Sequence, residues 1–122
     1  VLLNPRMTIM FCAFDGSPLI LRAYGEARVL HRNDPEWSKY IGLFPKSVAS
    51  RQVFILDISM VQSSCGTSVP YFNYESDRDT LAKWSENKGK EGIEAYWVKK
   101  NQRSIDDFES EIVERSGITI DS

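Results

Sequence analysis

Alternation of apolar and polar residues predicts three β-strands in the first half of the chain. Residues 6–14 are rich in β-branched and aromatic types and precede an Asp-Gly-Ser-Pro turn, which is typical of a strand that enters a hairpin. Residues 19–30 and 52–61 alternate at a period of two, which predicts two further strands. Gly25 interrupts the second of these, so we expect a bulge or a close backbone approach there.

Helical periodicity follows the second strand and then dominates the second half. Asp34 supplies an N-cap before a proline at the first helical position, and apolar residues then recur at helical spacing until Pro45. Residues 80–87 and 91–101 predict two more helices, separated by Gly89.

Two stretches have no such periodicity. Residues 63–70 are small and polar and predict a loop, and the acidic residues 104–122 predict a tail that frays or docks loosely. The order of elements predicts an α+β fold with an antiparallel sheet and flanking helices, in a single domain over residues 1–122. Three strands cannot close a barrel, so we expect the outer strands to pair with strands from a further part of the protein or from another subunit. Because the chain starts at Val1, we also expect it to begin inside a longer protein.

Composition narrows the classes of protein. A net charge of −2 argues against binding to nucleic acid, which relies on an excess of Lys and Arg, and no apolar run reaches the length of roughly 18 residues that a membrane helix requires. Two cysteines and one histidine, with no CxxC pair, indicate neither a disulfide framework nor a metal site. We therefore expect a cytoplasmic protein.

Individual chemical groups point to no catalytic side chain. His31 follows the second strand in a polar stretch and is expected in an exposed turn. Asp57 is a general base if it is buried beside a cofactor, although a carboxylate on a strand more often pairs with an arginine across the sheet. For Trp84, Tyr96 and Trp97, helical spacing favours core packing over stacking on a ligand ring.

Five phrases of the sequence, in this order and spacing, resemble the pyridoxamine 5'-phosphate oxidase-like, FMN-binding split-barrel family. They are residues 4–14 (NPRMTIMFCAF), 20–25 (ILRAYG), 64–70 (SCGTSVP), 78–84 (RDTLAKW) and 99–106 (KKNQRSID). The resemblance implies an antiparallel split β-barrel, of which this chain is the C-terminal portion, and a homodimer that holds FMN and acts on a small-molecule substrate. The alternative is a non-catalytic or repurposed split-barrel dimer that binds a small ligand without FMN.

The resemblance also implies which residues contact the cofactor: Arg22, Tyr24, Ser64, Cys65 and Gly66. An arginine beside a tyrosine on a strand suits a phosphate or ring oxygen, and the residues around Gly66 offer hydroxyls and backbone N–H groups. The alternatives are a solvated strand face for the first two residues and a buried turn of small residues for the other three.

Two departures from the family pattern matter. Similar members have, before the phrase at residues 4–14, a helix, further strands and a lysine-containing segment that contacts the flavin phosphate, and these do not precede that phrase here. Asp107 stands where relatives usually have Gly, so we expect the turn there to differ, since aspartate tolerates a positive φ less well.

Overall fold

A computed structural model describes residues 1–120 and shows a mixed fold of three strands and three helices. The elements, in chain order, are β1 (Arg6–Cys12), β2 (Leu19–Leu30), α1 (Trp37–Ile41), β3 (Val53–Cys65), α2 (Thr80–Lys100) and α3 (Ile112–Arg115). The strands form one antiparallel sheet in the order β1-β2-β3. The predicted α+β class is confirmed, and this sheet is open rather than closed into a barrel.

The chain divides into two compact units, which are described separately. Unit 1 comprises Val1–Arg28 and Phe54–Asp77, and therefore holds β1, most of β2 and nearly all of β3. Unit 2 comprises Val29–Val53 and the chain from Arg78 onward, and therefore holds the helices. The prediction of a single domain stays a prediction.

In unit 1, the pairing of β1 with β2 determines which side chains share a face of the sheet. Thr8 lies opposite Tyr24, and Met10 lies opposite Arg22. Because directly opposed residues of antiparallel strands point to the same side, these four side chains share one face.

Gly25 is required by the close approach of β2 to β3. A Cβ atom at this position would overlap the carbonyl oxygen of Asp57, so no residue with a side chain fits there without a shift of the backbone. The predicted close backbone approach is therefore confirmed.

β3 is longer than the sequence predicts, because it continues through Ser63 and Ser64 to Cys65. The prediction of a loop from residue 63 is wrong over these three positions. The cause is tertiary: Gln62 and Ser64 form side-chain hydrogen bonds to β2, which override a weak local preference of small polar residues for a loop.

In unit 2, the core is formed by buried apolar side chains of α2 and α3, namely Ile93, Trp97 and Ile112. α2 breaks at Gly89, which has φ 63° and ψ 179°, so the two predicted helical segments and their separator are confirmed. Trp97 packs in this core as predicted. The stretch after residue 104 contributes to this core through Ile112 of α3. Residues 121 and 122, at the end of the predicted tail, lie outside the described residues.

α1 is shorter than predicted and has no side-chain cap. The carboxylate of Asp34, expected to cap the helix, instead accepts hydrogen bonds from the His31 backbone N–H at 2.7 Å and from Arg115 at 2.5 Å. The helix is limited to Trp37–Ile41, and Phe44 is exposed.

His31 is buried, with 0% of its surface exposed, so the prediction of an exposed turn histidine is wrong. Its Nε2 lies 2.9 Å from the side-chain amide of Gln52. Its Nδ1 is buried without a hydrogen-bond partner among residues 1–120, and lies 3.9 Å from Asp34 Oδ2. Burial, and next the positive charge of Arg115, lower the pKa of His31 below its ordinary value of 6.5.

Asp107 has φ 62°, so an aspartate occupies the left-handed conformation that favours glycine. The Arg103 side chain is adjacent, with Nη1 3.0 Å from the Asp107 carbonyl oxygen and 3.2 Å from its carboxylate. Asp107 thus adopts the left-handed conformation although it is not a glycine.

Candidate functional site

Arg22 and Ser64, which are 42 positions apart in the sequence, meet on one face of the sheet. Nη1 of Arg22 donates a hydrogen bond to the Ser64 hydroxyl at 2.9 Å. Strand β2 positions the guanidinium, and the extension of β3 positions the hydroxyl. The other guanidinium donors of Arg22 have no protein acceptor within hydrogen-bonding distance among residues 1–120.

Tyr24 lies two residues further along β2, on the same face. Its hydroxyl donates a hydrogen bond to Oε1 of Gln62 at 3.1 Å. Arg22, Tyr24, Gln62 and Ser64 thus form two parallel cross-strand contacts, and we call these four residues the polar face.

Gln62 was not among the residues that the sequence singles out. Its position was nevertheless readable, because it has the same parity as Ser64 along β3, so both side chains must point to one side of a strand. A loop predicted over residues 63–70 ends the strand before Ser64, so the shared parity of Gln62 and Ser64 is not part of that prediction.

Cys65 and Gly66 are placed differently from the polar face. Cys65 follows Ser64 on the strand, so its side chain projects from the opposite side. Its Sγ donates a hydrogen bond to Oγ1 of Thr67 at 3.3 Å, and hydrogen bonding with the side chain and backbone of Thr67 lowers the pKa of the exposed Cys65 thiol.

Gly66 is buried, and a Cβ there would lie 2.7 Å from the backbone nitrogen of Leu19. This glycine therefore lets the end of β3 approach the start of β2, which is a structural role in positioning Ser64. Of the five predicted contact residues, the structure brings Arg22, Tyr24 and Ser64 together on one face, whereas Cys65 projects from the other side and Gly66 supports the strand ends.

The other candidate residues, Asp57 in unit 1 and His31 in unit 2, do not belong to the polar face. Asp57 is exposed, and no arginine pairs with its carboxylate in the described part of the chain. His31 is in the buried network of unit 2. Within residues 1–120, no group of three or more His, Cys, Asp or Glu side chains is arranged to hold a metal ion.

In the described residues no helix combines the length and the apolar character needed to cross a membrane.

An open antiparallel sheet with one polar face, combined with helices, defines a mixed α+β protein with a candidate site for a small polar ligand. The resemblance to the pyridoxamine 5'-phosphate oxidase family is confirmed at the level of sequence. A pyridoxamine 5'-phosphate oxidase family protein of Aspergillus flavus, ustO, is 37% identical to this chain over 120 aligned positions. The alignment covers 84% of this chain and 47% of that protein, so the chain spans about half the length of this relative.

No family model matches the chain, and no solved structure matches it.

Proposed function

We propose that this chain is part of an FMN-binding oxidoreductase-like protein with a split-barrel fold, which acts on a small molecule. The observation that supports the proposal most is the pair of Arg22 and Ser64, a cation and a hydroxyl held together on the polar face of a protein related to this family. When bound, FMN would supply the redox chemistry, and the protein would supply position and electrostatics.

The donors of the polar face suit the polar groups of such a cofactor. A guanidinium with free donors next to a hydroxyl is a suitable donor set for a phosphate or a ring carbonyl oxygen. Tyr24, fixed through its hydroxyl to Gln62, presents an aromatic surface beside them. In this proposal Arg22 and Ser64 bind the anionic or oxygen-bearing part, and Tyr24 orients the ring.

We also propose a homodimer. The outer strands β1 and β3 each pair on one side only, and they expose large apolar side chains: Met10, Phe11, Phe54, Ile58, Met60 and Val61. Exposed apolar surface on unpaired strands favours association. Cys12 and Cys65 are free, which supports a reducing, cytoplasmic location.

A titration of FMN against the full chain, followed by quenching of flavin fluorescence, tests the proposal. Arg22→Ala should weaken FMN binding at least about tenfold, since a charge-assisted hydrogen bond contributes about 1.5–3 kcal/mol and 1.4 kcal/mol is a factor of ten. Arg78→Ala is the matched control, because it removes the same charge from an exposed position outside the sheet.

Three results would contradict parts of the proposal. A folded chain that takes up no FMN would favour the alternative, a related dimer that binds a different small ligand. Equal losses of FMN affinity in Arg22→Ala and Arg78→Ala would remove the polar face from the cofactor site. A monomer in sedimentation equilibrium at micromolar concentration would contradict the homodimer.

A further inference from the structure

A second group of charges lies on the sheet of unit 1, at the end away from Ser64. Arg6 of β1 and Glu26 of β2 are directly opposed in the β1–β2 register. They share a face with Thr8 and Tyr24, the next opposed pair that points to the same side of the sheet. Arg22 is four residues from Glu26 along β2, which corresponds to about 13 Å at a rise of about 3.3 Å per residue.

Both charges border one concavity. Arg6, Thr8, Tyr24 and Glu26 line a cavity of about 550 Å³ in unit 1. Gly25 contributes bare backbone to it, and Met60 contributes an apolar wall. The lining is mainly polar, because Asn4, Thr8 and Ser59 accompany the two charged side chains, so the space suits a small polar molecule rather than an apolar one.

Arg6 and Glu26 do not neutralise each other. Opposite charges at directly opposed positions usually interact across the strands. Here neither side chain forms an ion pair or a side-chain hydrogen bond within residues 1–120, although both are exposed and border the same space. The cavity therefore presents a separated positive group and negative group.

We infer that this cavity binds a small zwitterion, with its carboxylate on Arg6 and its ammonium group on Glu26. A guanidinium binds a carboxylate through two parallel hydrogen bonds, and a carboxylate accepts from an ammonium group. Tyr24 belongs both to this cavity and to the polar face. The cavity is thus a substrate subsite beside the cofactor. This role rests on the proposed function, whereas the binding of a zwitterion is independent of FMN.

The test uses 4-aminobutyrate as the probe and butyrate and butylammonium as singly charged analogues. Each compound is titrated into the full chain without FMN at low salt, and its binding is followed by NMR. The expected result is that 4-aminobutyrate binds at least tenfold more tightly than either analogue. Arg6→Gln should reduce its affinity to that of butylammonium, and Glu26→Gln should reduce it to that of butyrate. Glu75→Gln and Arg78→Gln are matched exposed controls and should leave all three affinities unchanged.

A charge exchange separates recognition from a merely structural effect. Arg6→Glu alone should abolish binding of 4-aminobutyrate, and the double variant Arg6→Glu/Glu26→Arg should restore it, because the zwitterion can bind in the reverse orientation. Equal affinities for the probe and its analogues, or no restoration in the double variant, would overturn the inference. Since FMN binding is measured separately, loss of zwitterion binding with FMN retained contradicts only the inference, and the reverse result contradicts only the cofactor proposal.

Discussion

The polar face of unit 1 and the partly buried charges of unit 2 use the same kinds of side chain in opposite ways. Arg22 makes one hydrogen bond, to Ser64, and its other donors face no protein acceptor within residues 1–120. Arg115 in unit 2 contacts the carboxylate of Asp34, the carbonyl oxygen of Val29 and, at 3.5 Å, the carboxylate of Glu111. An arginine that the protein satisfies is structural, and one that it leaves unsatisfied is available to a ligand.

Arg32, also in unit 2, follows the same rule as Arg115. Its guanidinium forms a 2.9 Å ion pair with Glu94, lies 4.4 Å from the centre of the Trp97 ring, and donates to the carbonyl oxygens of Val48 and Ser50. Burial lowers the pKa of Arg32, while Glu94 opposes this shift. Its role is to fix residues 48–50 to α2, so the sequence position of an arginine on its own indicates little about its function.

The largest expected effect is on folding, from the substitution Arg115→Met. It removes the partner of a carboxylate whose side chain is 20% exposed, and should destabilise the protein by about 2 kcal/mol, less than a fully buried pair because solvent screens part of the charge. Urea unfolding followed by circular dichroism measures this change.

Arg22→Met is the matched variant for that measurement. Because Arg22 makes a single, partly buried hydrogen bond, its substitution should destabilise the protein by about 1 kcal/mol, less than Arg115→Met does. Equal destabilisation by the two substitutions would break the contrast between the units.

The next effect concerns pH. The folded pKa of His31 is lowered from 6.5, so below pH 6.5 the unfolded chain binds more protons than the folded one. Stability should therefore fall as the pH decreases from 6.5 to the lower folded pKa, by at most about 1.4 kcal/mol per pH unit. Urea unfolding at a series of pH values measures the slope.

The chain has a single histidine, so an NMR titration assigns the pKa directly. His31→Gln should flatten the stability profile between pH 5 and 6.5. Asp34 does not produce the same signal: burial raises its pKa, but hydrogen bonds from His31 and Arg115 outweigh this, and the net pKa lies below 3.8. A folded-state pKa of 6.5 or above for His31 would contradict the prediction.

The smallest effect is expected at Asp107, whose φ is 62°. Asp107→Gly should stabilise unit 2 by about 0.5–1 kcal/mol, because glycine adopts this conformation without steric cost. The loss of the exposed contact between the Asp107 carboxylate and Arg103 reduces this gain. Thermal unfolding measures the difference, with Asp106→Gly as a neighbouring control that lacks a positive φ. A lower melting temperature for Asp107→Gly than for the parent chain would mean that the Arg103 contact outweighs the strain.

The strand and helix pattern could be predicted because it depends on local periodicity. The three strands, the break at Gly89 and the close approach at Gly25 all followed from residue type and spacing. Positions determined by distant residues could not be predicted in this way. The extension of β3 through Ser64 depends on contacts with β2, and buried His31 lies beside Gln52 and near Arg115, which are both distant from it in the sequence.

The candidate site divides along the same line. Arg22 and Tyr24 could be assigned to one face because they have the same parity on one strand, and Ser64 entered through the family resemblance. The pairing of Tyr24 with Gln62, and that of Arg6 with Glu26, depend on the cross-strand register, which sequence periodicity does not determine.

β3 also bears on how the protein avoids aggregation. Among its thirteen residues, from Val53 to Cys65, the only charged side chain is Asp57, and most of the apolar ones are exposed. A long, apolar edge strand is a template for uncontrolled addition of strands from other molecules, and a charge in its middle raises the cost of such stacking. We therefore expect Asp57, whose backbone packs against Gly25 and whose side chain is exposed, to disfavour such stacking.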